Sequence, residues 1–267
     1  MTTLSAHAVL LILATTGGMA SAFDPYAGPR PLAVWIQTDP WLWVIGSDVP
    51  RAVLYEDGEL VFVKVAGARS VSLRHRKVGR AELEAFKGSI GAAVSTSTRA
   101  RYVLAEITDQ PSALIYARSG ERTLATEMYG VRGEDAREPA SAFRPVPREV
   151  HALFQLLASV DEARSTEWQP GYVEVMLRPY RGPEKPTLQW PADWPGLSSE
   201  RSRARNDGQF SIYMDAALKP QIEALLDQQK ARGAIELAGK PWFMQTRPVF
   251  PGEPIWREAF RRAKEPK

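Results

Sequence analysis

"RAVLYEDGELVFVK", residues 51–64, is the stretch from which the fold class follows. Apolar and polar residues alternate on both sides of Asp57-Gly58, and a period of two marks strands with one buried face. Asp and Gly both tolerate positive φ, which a two-residue hairpin turn requires. The segment reads as a β-hairpin that sets Glu56 opposite Glu59, a mildly unfavourable like-charge pair. One acidic tip offers too few ligands for calcium, so "EDGE" is turn chemistry and no metal site is expected.

Alternation continues outward from this hairpin. "SVSLRHRK" (70–77) is a strand with Val71, Leu73 and His75 on one face, and Leu83, Phe86 and Ile90 then fall at helical spacing. Strands follow at 101–107, 112–117 and 123–130, before a Pro- and charge-rich connector over 132–147. In "PREVHALFQLLASV" the residues Val150, Leu153, Phe154 and Leu157 form one apolar helical stripe, and proline suits its first turn. A strand at 171–180 leads into a long proline- and arginine-rich excursion, 181–208. Beyond it come a strand at 209–214, a helix over 220–232 closed by Gly233, and a hairpin around Ala238-Gly239. "RPVFPGEPIW" reads as an extended closing arm.

The order strand, helix, strand pair occurs in "VSLRH…AELEAFKGSI…YVLAEI" and again in "FSIYM…QIEALLDQQK…AIELA". The chain is therefore expected to be α+β, built as two similar modules, 23–165 and 166–267, each an antiparallel sheet with one or two helices packed on a face.

Residues 1–22 read as a signal peptide. Ala8 to Thr16 is a short apolar run, and Ala20-Ser21-Ala22 is the small-x-small pattern of a cleavage site. Leu4 to Ala22 reaches membrane-spanning length, but His7, Thr15, Thr16 and Gly17-Gly18 interrupt it. The expected location is periplasmic or secreted, with no stable membrane span after processing.

The 267 residues contain no cysteine, which removes thiol nucleophiles, thiolate metal sites and disulfides. His75 and His151 lack ligand-spaced partners, and no His-Glu-x-x-His motif exists. The chain has no Gly-x-Ser-x-Gly elbow and no phosphate-binding Gly-x-x-x-x-Gly-Lys loop, and no cofactor is expected. Carboxylate pairs suffice for glycoside hydrolysis. Glu106, Asp109, Glu127, Glu174 and Asp193 are candidates, but spacing alone unites no two of them. The formal charge of +3 concentrates at 74–80, 200–205 and the C-terminal tail. These clusters carry almost no interleaved aromatics, so no nucleic acid is expected as a partner.

Of eight tryptophans, Trp190 and Trp194 stand out in "WPADWPGL" (190–197), each before a proline. Proline pushes the preceding residue away from helical geometry, so both are extended rather than on one helix face, with Asp193 in the turn between them. An indole buries much apolar area while its N–H seeks one partner. Such a pair pins a loop to a core, anchors a protein partner or stacks on a sugar. Trp190, Asp193, Trp194 and Trp168 are the candidate binding residues. The resulting expectation is a non-enzymatic binding protein, an inhibitor or immunity-type partner of another exported protein, with 181–208 as its contact surface. The competing class is an envelope glycan hydrolase with a carboxylate pair near Trp190 and Trp194.

Overall fold

The computed structural model describes residues 23–38, 49–66, 70–97, 99–105, 108–131, 146–160, 162–182 and 188–265. Residues 1–22, read above as a signal peptide, Trp41, Trp43, Glu106 and the connector over 132–145 lie outside the described residues.

The chain is α+β and holds two sheets with four helices among the described residues. The first sheet comprises β1 (Pro31–Thr38), β2 (Pro50–Tyr55), β3 (Glu59–Ala66), β4 (Ser70–Lys77), β5 (Arg101–Val103), β6 (Ser112–Ser119), β7 (Arg122–Tyr129) and β8 (Thr166–Glu167). Their order is β5-β7-β6-β1-β2-β3-β4-β8. Helices α1 (Arg80–Thr96) and α2 (Arg148–Ala158) cover one face. There Ala33, Trp35, Leu54 and Phe62 meet Phe86 and Ile90 of α1 and the complete α2 stripe, Val150, Leu153, Phe154 and Leu157.

The second sheet comprises β9 (Tyr172–Pro179), β10 (Leu188–Gln189), β11 (Ser202–Ala204), β12 (Phe210–Asp215), β13 (Ile235–Leu237) and β14 (Lys240–Pro248), in the order β10-β13-β14-β9-β12-β11. Helix α3 (Lys219–Arg232) packs Ile222 and Leu225 against Val175, Ile212, Met214 and Met244. Buried Gln229 adds a polar tie: its amide donates to the Met244 carbonyl (3.1 Å) and its Oε1 accepts the Met244 N–H (2.8 Å).

Neither sheet is wholly antiparallel. β5 runs parallel to β7, and β10 parallel to β13. In each module one helix carries the chain between opposite sides of the sheet, α1 from β4 to β5 and α3 from β12 to β13. A helix that covers the sheet it crosses returns the next strand to the far side.

The hairpin at 51–64 forms one residue out of the expected register. Leu54 pairs with Leu60 and Val53 with Val61, so Glu56, Asp57 and Gly58 make a three-residue loop. The Gly58 N–H donates to the Tyr55 carbonyl (3.0 Å), and Gly58 itself adopts φ +81°, the combination of a turn and a glycine bulge. The repulsive Glu56–Glu59 pairing disappears. Glu56 instead meets Arg118 (3.2 Å), and Glu59 meets His75 Nδ1 (2.7 Å).

The closing arm is a helix, α4 (Glu253–Lys264), rather than extended. Proline at its N-terminal turn fits a helix start. Trp256, fully buried, lies with Phe250 against Val34, Val53, Tyr55 and Tyr116 on the face of the first sheet opposite α1 and α2. The C-terminal helix thus packs on the N-terminal sheet, and β8 pairs with β4. The segment 23–30 makes a second link. Phe23 packs edge-on against Tyr172 and Tyr26 against Tyr213 on the second sheet, and the chain then enters β1. Two glycines permit this crossing. A Cβ on Gly28 would come within 2.8 Å of Pro251, and one on Gly252 within 2.7 Å of Pro31.

Candidate functional site

The tryptophan loop is built from the second core outward. The Trp190 N–H donates to the Glu236 carbonyl (3.0 Å), prolonging the parallel β10–β13 pairing, and the Trp194 N–H closes a turn on the Pro191 carbonyl (3.1 Å). Both indoles are sunk in the core beneath the loop, 8% exposed each, with ring centroids 5.2 Å apart and planes nearly perpendicular. Neither ring is open to a sugar. Asp193, between them, is exposed. Trp168 lies elsewhere: it is half-buried, stacks on Phe250 at 4.8 Å and borders a cavity of about 430 Å³ between the two sheets. Trp190, Asp193 and Trp194 therefore share one loop, and Trp168 belongs to another place.

The candidate carboxylates are equally dispersed. Glu127 accepts the Ser112 hydroxyl (2.6 Å) and faces Arg101, whereas Asp109 sits in a bend with φ +61°. Glu174 joins a residue that sequence spacing does not associate with it. Directly across the sheet, Arg247 pairs with Glu174 in register. Arg247 Nη2 lies 2.5 Å from Glu174 Oε2, and Nη1 lies 2.6 Å from Glu253 Oε1 in the first turn of α4. All three side chains are at most 4% exposed. Ser211 donates to Glu174, Arg205 stands 3.3 Å from it, and Arg257 reaches Glu253. Above this cluster the hydroxyls of Tyr26 and Tyr213 meet at 2.7 Å. Burial, that hydrogen bond and the nearby Glu174 charge push the Tyr26 phenol well above its ordinary range. Such a fully paired, dry ion cluster fixes geometry. It gives no substrate access to either carboxylate.

Where the excursion leaves and rejoins the second sheet, the surface is concave and open. A hollow of about 810 Å³ is lined by Arg178, Tyr180, Arg181, Asp207, Gln209 and Phe243. Arg178 and Phe243 face each other in register across β9 and β14, with the guanidinium carbon 4.3 Å above the ring. This stacking leaves the N–H edge of the guanidinium for a planar acceptor. Gly182 lies against them, and a side chain there would displace the Tyr180 ring. Among the described residues neither Arg178 nor Arg181 has a carboxylate partner. Arg201, Arg203 and Arg205 are engaged, by Asp215, by backbone carbonyls and by Glu174 respectively. Sequence reading places function on this excursion but misses Arg178 and Phe243, which precede and follow it. Their signal is strand alternation, which puts both on the face away from α3.

His75 is held at both nitrogens, by Glu59 and by the Thr166 hydroxyl at 3.0 Å. Among the described residues no three His, Asp or Glu side chains gather as metal ligands would, and no helix is long and apolar enough to cross a membrane. No protein-family model, curated protein or solved structure matches this chain.

Proposed function

We propose that this is an exported, non-enzymatic binding protein, of the inhibitor or immunity type, that holds another exported protein through the open hollow at the base of the excursion. The observation that carries the reading is the pair Arg178 and Arg181, uncompensated among the described residues and presented on a concave surface whose Arg178 is stacked on Phe243. Arginines backed by aromatic rings are favoured anchors of protein interfaces. The loop behind supports the same reading, since its two indoles are spent on holding the excursion against the second core. The competing glycan hydrolase requires a carboxylic acid that touches the glycosidic oxygen. Among the described residues the one buried carboxylate pair, Glu174 and Glu253, is neutralised by a shared guanidinium and closed to solvent.

The test is affinity capture from an envelope fraction with residues 23–267 as bait. Arg178→Glu with Arg181→Glu should abolish capture of a partner that the unaltered protein retains, while the melting temperature is unchanged. Arg80→Glu with Lys87→Glu, a charge reversal on α1, should leave capture intact. Equal capture by both double variants would reject the hollow as the contact surface.

A further inference from the structure

We propose that the cavity between the two sheets binds a small uncharged molecule with an apolar body and one hydrogen-bonding end. This site is separate from the excursion and does not depend on the reading above. Its volume, about 430 Å³, falls within the range of small-molecule sites, which favour the junctions between modules. Leu73 of the first sheet, Val173 of the second, Ile222 of α3 and Trp168 supply apolar walls. The Trp168 ring stacks on Phe250, and its backbone N–H donates to the Leu73 carbonyl (2.9 Å). Thr246, on the same face of the second sheet as Val173, adds a hydroxyl to this lining. It is part-exposed, and a guest with one polar group can take its hydrogen bond in place of water.

Charge selects against ions. Lys219 pairs with Glu223 at 3.7 Å, Arg247 with Glu174 and Glu253, and Glu167 accepts the Gln169 amide at 3.0 Å. The lining thus contains two acids and two bases, and an ionic guest would be desolvated without an available counter-charge.

Titration with N-phenyl-1-naphthylamine, an uncharged apolar fluorophore, tests the site against its anionic relative 8-anilinonaphthalene-1-sulfonate. The uncharged probe should bind saturably at one site and at least about tenfold more tightly than the sulfonate, the equivalent of one desolvated charge or lost contact. Thr246→Phe fills the cavity and should weaken the probe by about tenfold or more. Amide shifts in the unaltered protein should centre on Trp168 and Thr246, which decides the matter even where the variant fails to fold. Absence of saturable binding, equal or tighter binding of the sulfonate, unchanged binding in a folded variant, or shifts centred elsewhere would each overturn the proposal.

Discussion

The guanidinium of Arg247, at the end of the last strand of the second sheet, lies 2.6 Å from the carboxylate of Glu253, in the first turn of the helix that crosses the first sheet. The same guanidinium holds Glu174, so one residue ties both sheets through charges withdrawn from water. Removing one member of such a cluster leaves an uncompensated buried charge. Arg247→Met should therefore destabilise the fold by about 3–5 kcal/mol in urea unfolding. Arg261→Ala, which breaks only exposed pairs with Glu258 and Glu265, should leave the urea midpoint almost unchanged. Similar losses in the two variants would show that the cluster is not a structural tie.

The N-terminal segment should contribute measurably through its tyrosine pair. Tyr26→Phe removes the hydroxyl contact to Tyr213 while the ring remains packed, a loss of about 1 kcal/mol. Deletion of residues 23–28 should cost more, since it also removes the Phe23 contacts and the bond from the Gly252 N–H to the Tyr26 carbonyl. A deletion that melts like the full chain would mean that this segment does not hold the modules together.

The two kinds of residue in the tryptophan loop should separate cleanly. Trp194→Ala empties a buried site beside Trp190 and should cost about 3–5 kcal/mol. Exposed Asp193→Ala should stay within about 0.5 kcal/mol of the unaltered protein. A mild Trp194→Ala phenotype would mean that the indole is available to a ligand after all.

Alkaline pH should unfold the protein through its buried phenols. Desolvation, above all, raises the pKa of Tyr26, Tyr55, Tyr116 and Tyr213, with the Glu253 charge adding to Tyr55 and the Glu174 charge to Tyr213. Their folded values lie above the unfolded phenol value near 10. The corresponding stability is fully present below about pH 10 and is lost as pH rises past it, because only the unfolded chain releases these protons readily. Tyrosinate absorbance at 295 nm should therefore contain a cooperative step that coincides with loss of circular dichroism. Smooth ionisation of all the tyrosines before unfolding would contradict this.

Much of the fold was legible because period-two alternation and the α2 stripe are local signals. β4 occupies the expected residues 70–77, and the Ala238-Gly239 turn forms with both residues at positive φ. The hairpin register escaped because Asp57-Gly58 serves a three-residue loop as readily as a two-residue one. α4 escaped because Pro254 and its many charges mask the Trp256, Ala259, Phe260 and Ala263 spacing. The Glu174–Arg247–Glu253 cluster was not legible at all: it joins positions some 70 residues apart through sheet register and a helix packed on the other module. The cavity at Trp168 depends on the same long-range docking.

The central claim, that a partner seats in the hollow at the base of the excursion, is tested most directly by site-specific photocrosslinking. A photoreactive phenylalanine analogue at Gln209, inside the hollow, should trap the exported partner, and the same analogue at Glu84 on α1 should not. Trapping at Glu84 equal to that at Gln209, or none at Gln209 with partner present and bound, would contradict the assignment.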